Sequence, residues 1–220
     1  MRARLAAVAV AAFFGAVSPG AAGVNLIKNG SFEDPVINTW YQNYGSSFPG
    51  WSVVFNNVDI VSGPNAPPPV AAYQGNQFLD LVGYGDTGAI SQGFATQKGK
   101  TYSLTFAYGN NPWSTKTAAA SFNVFGSGDL LSGIVVHSGS TSSNINWVVY
   151  SGTFVADSNA TILEFNNTKG GNSGGVLLDA VSVSAVPELS TWMMMLVGFA
   201  GIGCVAYRRA KKLSSASKPT

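Results

Sequence analysis

Cysteine is nearly absent from this chain of 220 residues: the single Cys204 lies in an apolar stretch near the C-terminus. No disulfide can form within the chain, so its fold must be held by a packed core or by a metal. Arginine is missing from residues 24 to 188, which carry five lysines and ten acids, a net charge of −5. The formal +2 of the whole chain therefore comes from its two ends. That basic balance is no sign of nucleic acid, because an acidic stretch without arginine has little with which to hold phosphates. Charge is sparse overall, 10% of residues against about 25% in ordinary domains.

Histidine occurs once, as His137. A histidine-rich metal site is excluded by count, and a cysteine site is excluded outside the tail. A Ser-His-Asp system would have to use His137. It ends an apolar run, precedes Ser138-Gly139-Ser140 and has no Gly-x-Ser-x-Gly elbow near it, so it reads as a surface residue. The run from Gly170 to Gly175 lacks the lysine and the helix of a phosphate loop. A glycosidase needs two facing carboxyls. Glu33, Glu164 and several aspartates are present, but no spacing singles out a pair.

What is present is β-structure. Residues 24 to 185 show no amphipathic helical period. Short alternating runs are separated by Gly, Asn, Ser and Pro clusters, the pattern of an all-β domain. The clearest strand is Thr101 to Tyr108, with Tyr102, Leu104, Phe106 and Tyr108 on one face. Others are Trp51 to Phe55, Val58 to Val61, Gln77 to Val82, Ala89 to Phe94, Ala120 to Phe125, Gly133 to His137, Trp147 to Ala156, Thr161 to Asn166 and Val176 to Ser184. About ten strands at this spacing predict a sandwich or jelly roll. Trp51, Phe78, Phe106, Phe122, Phe154 and Phe165 are expected in its core. Asn65 to Val70 is expected as an exposed connection.

The ends read as targeting segments. Arg2 and Arg4, the apolar Leu5 to Val17 and the small residues to Gly23 have the form of a secretory signal peptide, residues 1–23. The tail opens with Val186-Pro187-Glu188-Leu189-Ser190-Thr191-Trp192. Residues 192–207 hold no charge, and Arg208-Arg209-Ala210-Lys211-Lys212 follow. Sixteen residues are short of the ~20 that a spanning helix wants. Trp192 and Tyr207 stand at the two ends, where such rings favour the membrane boundary. The order Val186, Pro187, Glu188, Ser190, Thr191, Trp192, then Gly198-Phe199-Ala200-Gly201, then Tyr207, Arg208 and Arg209 resembles the PEP-CTERM sorting signal of Gram-negative bacteria. Leu189 stands where that family has a second proline. The resemblance implies a sorting segment at 186–212 with a transmembrane helix at 192–207 and a cytoplasmic tail at 213–220. It also implies processing by signal peptidase and an exosortase, and passage through the inner membrane to the cell surface or matrix.

A second resemblance lies in the domain, residues 24–185. Asn25-Leu26-Ile27-Lys28-Asn29-Gly30-Ser31-Phe32-Glu33 opens it, Gly50-Trp51 follows, and Leu177-Leu178-Asp179-Ala180-Val181-Ser182-Val183 closes it. Phe78-Leu79-Asp80-Leu81, Ile90-Ser91-Gln92 and Gly99 to Phe106 stand between. This resembles the galactose-binding-like jelly-roll superfamily, in particular DUF642-type domains and carbohydrate-binding modules. In those modules an N-terminal Glu and a C-terminal Asp hold a structural Ca²⁺, which the resemblance places at Glu33 and Asp179; the alternative is that Asp179 bonds to loop amides and Glu33 is a solvated turn residue. On its strand Asp179 is expected to share an inward face with Leu177, Val181 and Val183. Asp80 alternates away from Leu79 and Leu81 and is expected to meet solvent.

Trp40, Tyr41, Tyr44, Tyr84 and Trp113 lie in Gly/Asn-rich loops, where rings can stack on sugars or cover the edge of a core. The expected protein is a non-enzymatic surface or matrix component associated with exopolysaccharide. The alternatives are a glycan hydrolase using Glu164 or His137, and a structural coat or adhesion protein with no glycan ligand.

Overall fold

The computed structural model describes residues 23–85, 87–114, 116–171, 173–187 and 195–204. Twelve strands are described: β1 (Tyr41–Tyr44), β2 (Ser47–Phe48), β3 (Trp51–Phe55), β4 (Val58–Ser62), β5 (Gln77–Asp80), β6 (Ala89–Ala95), β7 (Thr101–Asn110), β8 (Thr117–Phe125), β9 (Asp129–Ser138), β10 (Val148–Val155), β11 (Ala160–Lys169) and β12 (Val176–Ala185). They form two six-stranded antiparallel sheets. Sheet A runs β1-β4-β5-β12-β7-β10 and sheet B runs β2-β3-β6-β11-β8-β9. The architecture is the all-β sandwich that the alternation predicts. All ten expected strands are there. The short β1 and β2 lie in a stretch whose Asn, Gly and Ser conceal any alternation.

Alternation decides what faces inward. Val58 and Ile60 of β4, Leu79 of β5, Leu104 and Phe106 of β7, and Phe122 and Phe165 of sheet B fill the space between the sheets. Phe106 is the hub. Its ring lies 4.9 Å from Tyr150 and from Phe165, and 5.4 Å from Phe122. Burying a ring of this kind stabilises the fold by about 1.5–3 kcal/mol. All six expected core aromatics are buried. Phe78 belongs to a second core on the other face of sheet A.

Sheet A is covered on its other face too. Val61, Phe78 and Leu177 point outward and meet Ala66, Val70 and Ile145 in a second cluster, with Trp40, Trp113 and Trp147 around it. The expected exposed connection is therefore only partly so. Pro67, Pro68 and Pro69 are exposed, while Ala66 and Val70 fold down onto the sheet. Trp147 donates from Nε1 to the Ala71 carbonyl at 3.1 Å, tying two covering loops together. His137, expected at the surface, is only 7% exposed. Its Nδ1 lies 3.0 Å from the Asn110 backbone N–H and 2.8 Å from Asn110 Oδ1, and its Nε2 lies 3.1 Å from the Asn146 carbonyl. It holds the loop that brings Ile145 over Gly109, where a Cβ would collide with the Ile145 side chain.

Among the described residues, both cores draw on residues 26 to 183. Of the tail, residues 195–204 form a helix whose residues are all exposed, Cys204 included. Among the described residues no helix is long and apolar enough to cross a membrane. The readings placed on residues 1–22 and on Glu188, Ser190, Thr191, Trp192, Arg208 and Arg209 lie outside the described residues, as do both ends of the expected 192–207 helix. Val186 and Pro187 are described; the Val186 amide donates to the Thr101 carbonyl at 2.9 Å and so closes the last strand.

Candidate functional site

The outer face of sheet A carries a row of acids. Asp59 of β4 and Asp80 of β5 are paired across the strands, and Leu177 of β12 stands on the far side of Asp80. Asp80 does alternate away from Leu79 and Leu81 as expected. It does not reach bulk solvent, because that face has its own cover, and it is 2% exposed. Its Oδ1 accepts from the amides of Val82 and Gly175 at 2.9 and 3.0 Å, and its Oδ2 accepts from Asn111 Nδ2 at 2.6 Å. These donors favour the charged form, yet burial prevails and raises its pKa from 3.8 to about 7. Asp59 accepts from Asn43 Nδ2 at 2.8 Å. Burial raises its pKa as well, against the lowering effect of that bond.

The sign of the Asp80 shift sets a pH dependence. An aspartate that titrates at 3.8 unfolded and at about 7 folded binds more protons in the folded state between those values. Its contribution to stability is complete below pH 4 and is lost as pH rises through 7. The protein in EDTA is expected to melt higher at pH 5 than at pH 8, and Asp80→Asn should flatten that slope. A melting point that rises steadily from pH 5 to 8 would contradict the assignment.

Above these acids lies a cavity of about 180 Å³, lined by Trp40, Tyr41, Asp59, Val61, Asp80, Tyr84, Asn111, Trp113 and Ser173. It is smaller than the ~300–1,000 Å³ of drug-sized sites, a scale suited to one small ring. Trp40 meets Trp113 edge-on at 5.8 Å and Tyr41 at 5.5 Å. Tyr84 stands at the mouth, 79% exposed. The Trp113 indole Nε1 is buried and has no hydrogen-bond partner among the described residues. Four of the five expected loop aromatics thus converge.

Tyr44 does not join them. Tyr41 and Asn43 share one side of β1, and Tyr44 points the other way, onto Phe48 at 5.3 Å. Burial, then the nearby Asp34, raises its pKa. Asp59, Asp80 and Asn111 were not singled out in the sequence as site residues. Their signal, polar residues alternating with apolar ones, is the same as that of a solvated strand face.

Glu33 and Asp179 meet at a different place, around the turn before β5. Glu33 Oε1 accepts from the amides of Asn76 and Gln77 at 2.8 and 2.7 Å. Asp179 is 0% exposed, accepting from Gln74 at 2.9 Å and from Ala180 at 2.6 Å. Burial first, and then Glu33, raises the Asp179 pKa to about 7. Asp179 shares its face with Leu177 as expected, but that face is the outer one. Val181 and Val183 lie in the inner core because the ladder shifts register between Asp179 and Ser182, at Ala180 with φ 50°.

At Gly75 the turn adopts φ 73°, and a Cβ there would collide with the Glu33 carboxylate. Gly75→Ala is expected to lower stability by about 1–3 kcal/mol, combining backbone strain with that collision. Chemical denaturation measures it, and an unchanged midpoint would show that the turn is not tied to Glu33.

No group of three or more acids, histidines or cysteines that could hold a metal exists among the described residues. A hard cation at Glu33 and Asp179 would draw on two carboxylates and on backbone carbonyls, ligands that Ca²⁺ accepts. Asp179 is fully buried and Glu33 half-buried, close enough for their charges to repel, and backbone amides donate to both, so an ion there would share their oxygens with those donors.

The two sheets define an all-β sandwich whose fold is similar to that of solved carbohydrate-binding modules. The sandwich is similar to the structure of TmCBM61 in complex with β-1,4-galactotriose, with a TM-score of 0.51 and 16% identity over 74% of this chain and 99% of that one. It is also similar to the CBM22-1 xylan-binding domain from Paenibacillus barcinonensis Xyn10C, with a TM-score of 0.44 and 20% identity over 76% of this chain and 97% of that one. No curated protein matches the sequence. Residues 25–184 match the family model described as Protein of unknown function (DUF642), and the chain belongs to that family.

Proposed function

We propose that this protein is an exported, non-enzymatic surface or matrix component that binds polysaccharide in the cavity on sheet A. The observation that carries the reading is the convergence of Trp40, Tyr41, Tyr84 and Trp113 with Asp59, Asp80 and Asn111 around one opening. Ring faces pack on the apolar C–H faces of a sugar, and the carboxylates and amide bond its hydroxyls; the unpartnered Trp113 N–H supplies a donor. The galactotriose carried by the similar module TmCBM61 makes glycans the class to try first. The tail that resembles a PEP-CTERM signal, with its exposed apolar helix at 195–204, supports delivery by exosortase to the cell surface or matrix. Glu33 and Asp179 would hold a structural Ca²⁺, tying the start of the chain and β12 to the turn before β5.

The test is affinity electrophoresis and melting temperature with galactan, xylan and the producer's own exopolysaccharide. Binding to the native state alone must raise the melting point. No shift with any polysaccharide would leave a coat protein without a glycan ligand.

A hydrolase would also present two carboxyls in one cleft, as Asp59 and Asp80 do. Asp80, however, is enclosed and held by three N–H donors, which suits a fixed acceptor better than a proton carrier. The other candidates for catalysis are elsewhere: Glu164 lies on β11 of sheet B, and His137 of β9 is hydrogen-bonded to Asn110 and Asn146. New reducing ends released from a bound polysaccharide would overturn the non-enzymatic reading.

A further inference from the structure

Among the described residues the cavity is lined by two carboxylates and by no cationic side chain. Asp59 is 8% and Asp80 2% exposed, and they face one another across β4 and β5. The side chains bonded to them are neutral amides, Asn43 and Asn111. No lysine lines the cavity, and no arginine exists between residues 24 and 188. Two acids this poorly hydrated, without a counter-charge, are costly to ionise, and a cationic ligand would offset that cost. The walls point the same way. Trp40, Tyr41, Tyr84 and Trp113 present electron-rich rings, and such rings attract a positive group above their faces. Acids beneath and rings around form a receptor for an amine.

We propose that the cavity takes a sugar bearing a protonated amine, an unacetylated hexosamine unit, with its ammonium at Asp59 and Asp80 and its ring against Trp40 and Trp113. The proposal rests on the glycan-binding reading above and names the sugar class. It also predicts exclusion: uronic acids and sulfated sugars would meet two like charges in a poorly hydrated site.

The experiment is calorimetry in 0.15 M salt with a fully deacetylated glucosamine tetramer and its N-acetylated counterpart. The amine form is expected to bind about tenfold or more tightly, a gain of the size one desolvated charge pair supplies. Asp59→Asn keeps the shape of the side chain and should reduce that preference below about twofold, with the melting point confirming the fold. Glu164→Gln, on β11 of the other sheet, removes the same unit of net charge and should keep the preference intact. Equal affinity for the two tetramers overturns the proposal. So does a preference that Glu164→Gln erodes as much as Asp59→Asn, since that would be bulk attraction of a cation to an acidic protein. Binding of galactan or xylan that Tyr84→Ala weakens, with no preference for the amine, would sink this inference and leave the glycan reading standing. No binding to any sugar would sink both.

Discussion

Tyr84→Ala should weaken polysaccharide binding about tenfold while leaving the melting temperature within a degree or two. The ring is 79% exposed at the cavity mouth, so folding gains little from it. A stacked aromatic at a binding centre typically contributes about 1–2 kcal/mol or more, and 1.4 kcal/mol is a factor of ten. Trp113→Ala should do more on both axes. Its ring lines the cavity and packs against the second core beside Trp40. Binding should fall by about thirtyfold or more, and unfolding should become easier by about 2–4 kcal/mol. Tyr44→Ala is the contrast, because that ring packs on Phe48 away from the cavity. It should cost stability and spare affinity. Affinity electrophoresis and thermal melts separate the two effects. Loss of binding in Tyr44→Ala with none in Tyr84→Ala would place the ligand elsewhere.

Adding Ca²⁺ after EDTA should raise the melting temperature by about 5–10 °C at a hundredfold excess over Kd. Binding of that strength stabilises the native state by about 2.7 kcal/mol, and each kcal/mol moves a chain of this size by about 2–4 °C. The shift should vanish in Glu33→Gln, which keeps the one acceptor oxygen that Asn76 and Gln77 use, and in Asp179→Asn, which keeps one of its two acceptors and loses the other to an NH2 group, so that its baseline melting point should also fall. The Ca²⁺ shift should also shrink toward pH 5, where protons compete for the same oxygens. Melting curves that overlay with and without Ca²⁺ would mean that Glu33 and Asp179 fasten the turn unaided, through their bonds to Gln74, Asn76 and Gln77.

The two acids raise different questions about legibility. Glu33 and Asp179 were singled out through a family resemblance carried by the opening and closing motifs, and the structure does bring them to one turn. Asp80 was misread. Its alternation was assigned correctly, but alternation names a face and not what covers it. The covering comes from residues 63–76, 111–114 and 139–147, distant in sequence and folded over the sheet by contacts such as Trp147 to Ala71 and His137 to Asn146. His137 was misread for the same reason. The inward direction given to Asp179 failed differently, at one irregular residue: Ala180 takes φ 50°, the ladder slips, and the valines after it change sides.

By itself, then, the amino-acid sequence determined the class of the fold, ten of the strands and the main core. Those follow from local period and from burial of apolar area, which short stretches of chain encode. Composition alone also excluded a histidine-rich metal site and, outside the tail, a cysteine one. The tertiary structure decided which aromatics meet, that Tyr44 turns away from Tyr41, Tyr84 and Trp113, and that Asp59 and Asp80 lie together beneath those rings. These depend on strand order, Asp59 and Asp80 being 21 positions apart yet paired, and on loops that bury a second face. Pairing and covering are long-range events, and no window of the sequence contains both partners.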